Sequence, residues 1–537
     1  MPQAVRAFTP EAIISMDVLR FTRFLVLAFA PALLAAQSVT KVQQKIADGT
    51  LEGVISGDDL VKTFKGVPYA APPVGPLRWK PPQPVIPWSG VREASKYGPR
   101  AMQKHKWDDM IFHDAGPSED CLYLNLWIPN QIKGPLPVMF WIHGGGFVAG
   151  ASSEDRQDGG NLCKKGVIVV SLNYRMGIFG LMAHPELAAE SDQHASGNYG
   201  LMDQVAALRW VQRNIATFGG DPNNVTIFGE SAGSWSVSML VASPQAQGLF
   251  RRAIGESGGS MDFGKPMWTL AQAEDKALQW AQKAVGTTKL ADLRAMPAGK
   301  LLDASWDNSQ DNFDFCVDGA FLPEAPLAIY RAGRQNRVDL LAGWNRDEGS
   351  AGEFFGDLAP TLANYRAVAR KKFGARADDF LRAYSATTDA EARRAAADYQ
   401  GDDFIAGGTW RWIELHRRLG LPVYRYQFDQ PLPLAPDAKP GTEPVVPHAS
   451  DIPFVFRVLW ARAQPSTDVD RQVSEMMASY WTNFAKNGDP NGAGLSTWPR
   501  YDEAHHLAVM HLSPQPTVTH DDNRAHYEFL ERTEAAK

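Results

Sequence analysis

Residues 225–233 constrain the fold of this chain more than any other segment. They read VTIF, a short stretch suited to a buried strand, running directly into Gly229-Glu230-Ser231-Ala232-Gly233, after which 232–241 suits a helix. A serine at a strand-to-helix bend projects clear of the backbone. Glycines flank it because chain segments there approach too closely for Cβ atoms. G-x-S-x-G alone arises often by accident; lodged between a strand and a helix it is specific.

The flanking pattern supplies the rest of a sheet. Residues 138–142 (VMFWI) and 167–172 (VIVVSL) are apolar, β-branched runs of the kind buried on both faces of a parallel sheet. Between them and the serine, 200–216 places Leu201, Val205, Leu208 and Ile215 on one helical stripe, and Gly219-Gly220-Asp221-Pro222 ends that helix. Further strands are expected at 253–255, 338–343 and 423–428, mostly helical stretches over 260–310 and 353–420, a Pro-rich loop at 431–447 and a late helix at 471–487. Strands alternating with helices predict an α/β fold: a central, mostly parallel sheet, helices on both faces, and large helical insertions. No linker divides the chain, so one catalytic domain over 37–537 is expected.

Net charge is −6, with acidic and basic residues intermixed and no basic stripe, which argues against a nucleic-acid partner. At the N-terminus, the apolar run 24–34 follows Arg20 and Arg23 and leads into Ala35-Ala36-Gln37. That is the layout of a signal peptide, expected over 1–36 with translation starting at Met16, and it implies export to the periplasm or beyond. The run is too short to span a bilayer comfortably and no cysteine follows it, so no stable membrane anchor is expected. Three cysteines, Cys121, Cys163 and Cys316, make neither a disulfide framework nor a metal-ligand pattern.

The chemistry needs three further parts. Attack on a carbonyl creates an oxyanion, and His143-Gly144-Gly145-Gly146-Phe147, after the strand at 138–142, can turn bare backbone amides toward it. One such donor is worth about 3–4 kcal/mol of transition-state stabilisation. No Lys-Ser/Thr pair follows at phosphate-loop spacing. The serine also needs a base, and in this fold the order is serine, acid, histidine. His416 sits in TWRWIELHRRL, read as a solvated helix face, and the C-terminal histidines lack metal-site spacing. His448, in the irregular loop VVPHASDIPF beyond the strand at 423–428, is the candidate base. For the acid, Asp347 and Glu348 both follow the strand at 338–343, and spacing does not choose between them.

With these parts in place, the sequence resembles the type-B carboxylesterase family of the α/β-hydrolase superfamily, which includes cholinesterases and bacterial neutral esterases. The likeness begins at Phe64-Lys65-Gly66-Val67-Pro68-Tyr69-Ala70 and Ser118-Glu119-Asp120-Cys121. It continues through the glycine motif, Asn173-Tyr174-Arg175, Gly197-Asn198-Tyr199-Gly200 and the serine motif, to Asn345-Arg346-Asp347-Glu348-Gly349 and the His448 loop. The resemblance implies a serine carboxylic-ester hydrolase working through an acyl-enzyme on small to medium apolar esters, with no cofactor and no metal. The same site could cleave carbamates, amides or lactones. A non-catalytic cholinesterase-like binding protein would be expected to have lost the serine or the histidine, and both are present.

The resemblance also assigns roles: Ser231, Glu348 and His448 as the catalytic triad, Gly145, Gly146 and Ala232 as oxyanion donors, and Glu230 as a buried supporting carboxylate. Three departures stand out. Ala101 occupies the place of the cysteine that usually pairs with Cys121, which implies that Cys121 is unpaired. Trp235, four residues beyond the serine, either constricts the acyl side of the pocket or packs behind the helix. The segment 102–117 is short, and Trp107 does not fall where the choline-binding tryptophan would. The insertion 353–420 is expected to cover the pocket.

Overall fold

The computed structural model describes residues 40–261, 266–434, 443–521 and 523–534. The expected signal peptide, 1–36, lies outside the described residues.

Apolar runs without polar alternation pack as the sequence requires. Seven strands lie parallel at the centre of a thirteen-stranded sheet, in the spatial order Ile168–Leu172, Leu136–Ile142, Gly220–Glu230, Arg252–Glu256, Asp339–Asn345, Val423–Phe428 and Ala508–Leu512. Because side chains alternate along a strand, each strand feeds two cores. Val138, Phe140 and Ile142 enter the larger one, with Leu208 and Val237 of the helices Tyr199–Asn214 and Ala232–Ala242. Met139 and Trp141 enter the other, with Met477 and Trp481 of the helix Asp468–Asn487. That last helix starts in a reciprocal cap between Thr467 and Asp470 and stops at Gly488, whose φ of 82° is left-handed. Val39–Lys537 form one compact unit.

Several elements escape the sequence reading. Four antiparallel strands, Thr40–Ile46, Gly49–Ile55, Val61–Pro68 and Tyr123–Pro129, extend one edge of the sheet, and Thr517–His520 closes the other. The strand before the serine begins at Gly220, with a register shift before Val225, so the Gly-Asp-Pro run enters the sheet as well as ending the helix.

His416 requires a correction. It is fully buried, with Nε2 2.8 Å from the Val338 carbonyl oxygen. The helix Gly407–Arg417 is almost wholly buried, and its main charges are paired within the protein: Arg411 with Glu531, and Glu414 with Arg524 and Tyr501. A helix whose charges are paired inside the protein has the sequence of a solvated one. The insertion around it carries its own aromatic core, in which Phe354, Tyr365, Phe380 and Tyr399 pack together.

Candidate active site

Strand ends build the site. Ser231 leaves the strand Gly220–Glu230 at φ 55° and ψ −121°, outside helical and extended space, and the helix begins at Ala232. The Ser231 N–H donates to the Glu256 carbonyl at 2.9 Å, which pins the bend to the adjacent strand. The bend is crowded: a Cβ on Gly229 would stand 2.6 Å from the Ile142 carbonyl oxygen, and one on Gly233 2.0 Å from it. Both flanking glycines are therefore required by contact with the neighbouring strand.

That same strand end delivers the glycine loop. A Cβ on Gly144 would stand 3.1 Å from Ser231 Cβ, so the loop lies against the serine. Gly145 and Gly146 take φ of 107° and 60°, which favour glycine, and a Cβ on Gly145 would collide with the Ala149 carbonyl. Ala232 is the first residue of its helix, so its N–H has no acceptor within the helix. His143 holds the loop from behind. It stacks on Tyr174 with centroids 4.5 Å apart, and Tyr174 Oη donates to its carbonyl at 2.7 Å. Burial pushes its pKa down to about 4, so the neutral ring donates from Nδ1 to the Gly144 carbonyl at 2.9 Å.

Glu348 and His448 arrive from the ends of two other strands. Glu348 Oε2 lies 2.6 Å from His448 Nδ1, while its Oε1 accepts from Ser257 Oγ at 2.5 Å and from the Asn345 N–H at 2.8 Å. Asp347 turns away, to Arg346, Arg394 and the Val446 N–H. Of the two neighbouring carboxylates, Glu348 is the one that reaches His448. His448 Nε2 lies 3.2 Å from Glu230 Oε1, and Glu230 immediately precedes Ser231 in the chain. No hydrogen bond joins Ser231 Oγ to His448 in this arrangement.

Sequence reasoning missed two supporting groups. Ser257 steadies Glu348, and Asp451, completely buried, accepts from Asn345 Nδ2 at 3.3 Å and from Tyr426 Oη at 3.2 Å. Their only sequence signal is position: Ser257 directly follows the strand Arg252–Glu256, and Asp451 lies three residues after His448.

Carboxylates crowd the imidazole, and this sets its proton affinity. Burial alone would lower the His448 pKa, but Glu230, Glu348 and Asp451 outweigh it and push it up to about 9. Burial pushes Glu230 up to about 8, with His448 working against the rise and Asp451 adding to it. Asp451 rises to about 6, through burial and the Glu348 charge. Glu230 and His448 face each other across 3.2 Å and compete for one proton, so they titrate as a pair. The direction for the imidazole is upward.

Beside this cluster a cavity of about 590 Å³ begins at Gly146 and is walled by Phe147, Trp235, Phe315 and Phe404. Trp235 therefore lines the pocket. The insertion contributes Phe404, carried on a π-helical turn, Asp402–Ala406, with its ring 5.4 Å from that of His448.

A mostly parallel sheet, a strained serine bend at its carboxyl end, and an acid and histidine on later strand-end loops define an α/β-hydrolase. Residues 38–530 match the carboxylesterase family, and the chain belongs to it. It is 37% identical to a fumonisin B1 esterase of Sphingopyxis macrogoltabida, over 86% of this chain and 85% of that protein. It is 35% identical to the liver carboxylesterase of Sus scrofa, over 82% and 84%. A crystal structure of a carboxylesterase from Geobacillus stearothermophilus superposes with a TM-score of 0.77 at 33% identity, covering 90% of this chain and 99% of that one. The chain is accordingly a serine carboxylic-ester hydrolase, with the acyl-enzyme mechanism general to its family.

Proposed function

We propose that Ser231 is the nucleophile of this esterase, His448 its general base and Glu348 the acid that orients the base. His448 takes the Ser231 Oγ proton as Oγ attacks the ester carbonyl, and Glu348 holds Nδ1 and stabilises the imidazolium. The N–H groups of Gly145, Gly146 and Ala232 receive the oxyanion. The tetrahedral intermediate collapses, His448 protonates the leaving alcohol, and water activated by the same imidazole releases the acid. Glu230, buried against Nε2, supports the positive charge that develops on the ring. The observation that carries this reading is the 2.6 Å contact of Glu348 with His448 Nδ1, made beside the strained bend that presents Ser231.

The wall of Phe147, Trp235, Phe315 and Phe404 supports small to medium apolar esters as substrates, while Lys276, Asp311 and Asp314 make the rest of the cavity polar; no protein group in this scheme requires a metal or cofactor. Residues 37–537 would be the mature catalytic domain, exported after removal of 1–36, on the strength of the Arg-flanked apolar run at 24–34. Expressed in a secreting host, the full chain should yield a product whose intact mass lacks the leader; a product retaining 1–36 would refute export by this route.

Ser231→Ala tests the central assignment. Hydrolysis of a short p-nitrophenyl ester should fall to background while the circular dichroism spectrum stays unchanged, and fluorophosphonate labelling should vanish. Activity near that of the parent enzyme would overturn it.

A further inference from the structure

The departures noted in the sequence include one bulky residue that the mechanism does not use. Trp235 lies one helical turn beyond Ser231, and its N–H donates to the Ser231 carbonyl at 2.9 Å. Side chains on a helix lean toward its N-terminus, so the indole leans back toward the bend. It is fixed there from both sides. A Cβ on Gly258 would stand 3.0 Å from Trp235 Cδ1, so only glycine fits behind it. In front, the indole lies 6.1 Å from the Phe147 ring, which packs edge-on against Phe315 at 4.6 Å. Phe147 directly follows Gly146, so this aromatic wall is continuous with the glycine loop. Phe404 also borders the cavity, but it stands against His448 and is half exposed.

The chemistry tells the two walls apart. The departing alcohol oxygen must collect its proton from the imidazolium, so the alcohol arm of the ester starts beside His448 and Phe404. The carbonyl oxygen points at the glycine loop and the Ala232 N–H. The remaining direction, along Gly146 and Phe147 toward Trp235, is left for the acyl arm. We infer that Trp235, backed by Phe147 and Phe315, sets the upper size of the acyl group, whereas Phe404 borders the alcohol. This rests on the roles proposed above for Ser231 and His448.

The proposal has a kinetic signature. The acyl-enzyme retains only the acyl group, so an acyl-side residue affects both halves of the reaction and an alcohol-side residue affects only the first. The test uses Trp235→Ala, Trp235→Phe and Phe404→Ala with two substrate series. One is p-nitrophenyl esters from acetyl to dodecanoyl, and the other is acetates of alcohols from ethanol to octanol. In Trp235→Ala the kcat/KM optimum of the acyl series should move to longer chains. The ratio of long to short acyl should rise about tenfold or more, the scale that a few methylenes command in an apolar pocket. The alcohol series should keep its shape. Trp235→Phe should shift the acyl series in the same direction by less, and it serves as the folded control if the alanine variant is unstable. Phe404→Ala should alter the alcohol series alone.

Trp235 variants that retain both parental profiles, or that change alcohol preference without changing acyl preference, would overturn the inference. Labelling of Ser231 by a small fluorophosphonate separates this failure from a failure of the mechanism. Variants that label normally but show an unshifted acyl profile refute only the role of Trp235. Labelling that persists in Ser231→Ala would refute the mechanism itself.

Discussion

Two histidines, the partly buried His448 and the fully buried His416, show how one side chain is put to opposite uses. His416 lies near the amino end of the strand Asp339–Asn345, among apolar and aromatic groups, with one ring nitrogen bonded to a backbone carbonyl. Burial pushes its pKa down to about 4, and it stays neutral. His448 lies beyond the carboxyl ends of the strands, facing Glu348 on one nitrogen and Glu230 on the other, and its pKa is pushed up to about 9. Desolvation acts on both. The difference comes from carboxylates placed within hydrogen-bonding distance of one ring and kept away from the other. Proton affinity here is a property of the strand ends, where loops converge, and not of the residue.

The largest way to break this contrast is to exchange the roles. His448→Gln should lower kcat for a short p-nitrophenyl ester by roughly four to six orders of magnitude while leaving the melting temperature near that of the parent. His416→Ala should do the reverse, costing about 2–4 kcal/mol of stability through lost packing while kcat stays close to normal. Denaturant titrations set beside kinetics read both effects. His416→Ala should also remove an acid-sensitive component of stability. The folded ring resists protonation while the unfolded one accepts it near 6.5, so the parent loses stability as pH falls from about 6.5 toward 4. A variant retaining that dependence would assign it elsewhere.

A smaller effect sharpens the comparison. Glu230→Gln removes one of the carboxylates that raise His448, so the imidazole should lose its proton at lower pH. The base acts only when neutral, so the acid limb of the kcat/KM profile should move down by about one pH unit. A limb that stays in place would show that Glu348 and Asp451 alone set the proton affinity.

The legibility of the site followed the same division. The serine bend and the glycine loop are local motifs, each contained in five consecutive residues, and both were evident from the sequence because steric crowding dictates their glycines. The contact of Glu348 with His448 spans 100 positions and depends on which of two neighbouring carboxylates turns inward. Asp347 is drawn outward by Arg394 of the insertion and by the Val446 N–H of the loop before His448, contacts that exist only once distant segments have folded together. Six of the seven parallel strands were readable because both their faces are buried; the seventh, Ala508–Leu512, was not, being short and interrupted by the half-buried His511. The antiparallel edge strands were not, since partial exposure mixes polar residues into them, as in TKVQQKI at 40–46. His416 misled because its helix pairs its charges internally.

Cys121, Cys163 and Cys316 are all buried and unpaired, and burial raises each thiol well above its ordinary pKa. None borders the cavity beside Ser231. With no thiolate available at ordinary pH, these residues give oxidants and disulfide-exchange partners nothing to react with while the fold is closed. With Cys121, Cys163 and Cys316 all unpaired, the folded chain draws on no cross-link among them whose formation would depend on the redox poise around it.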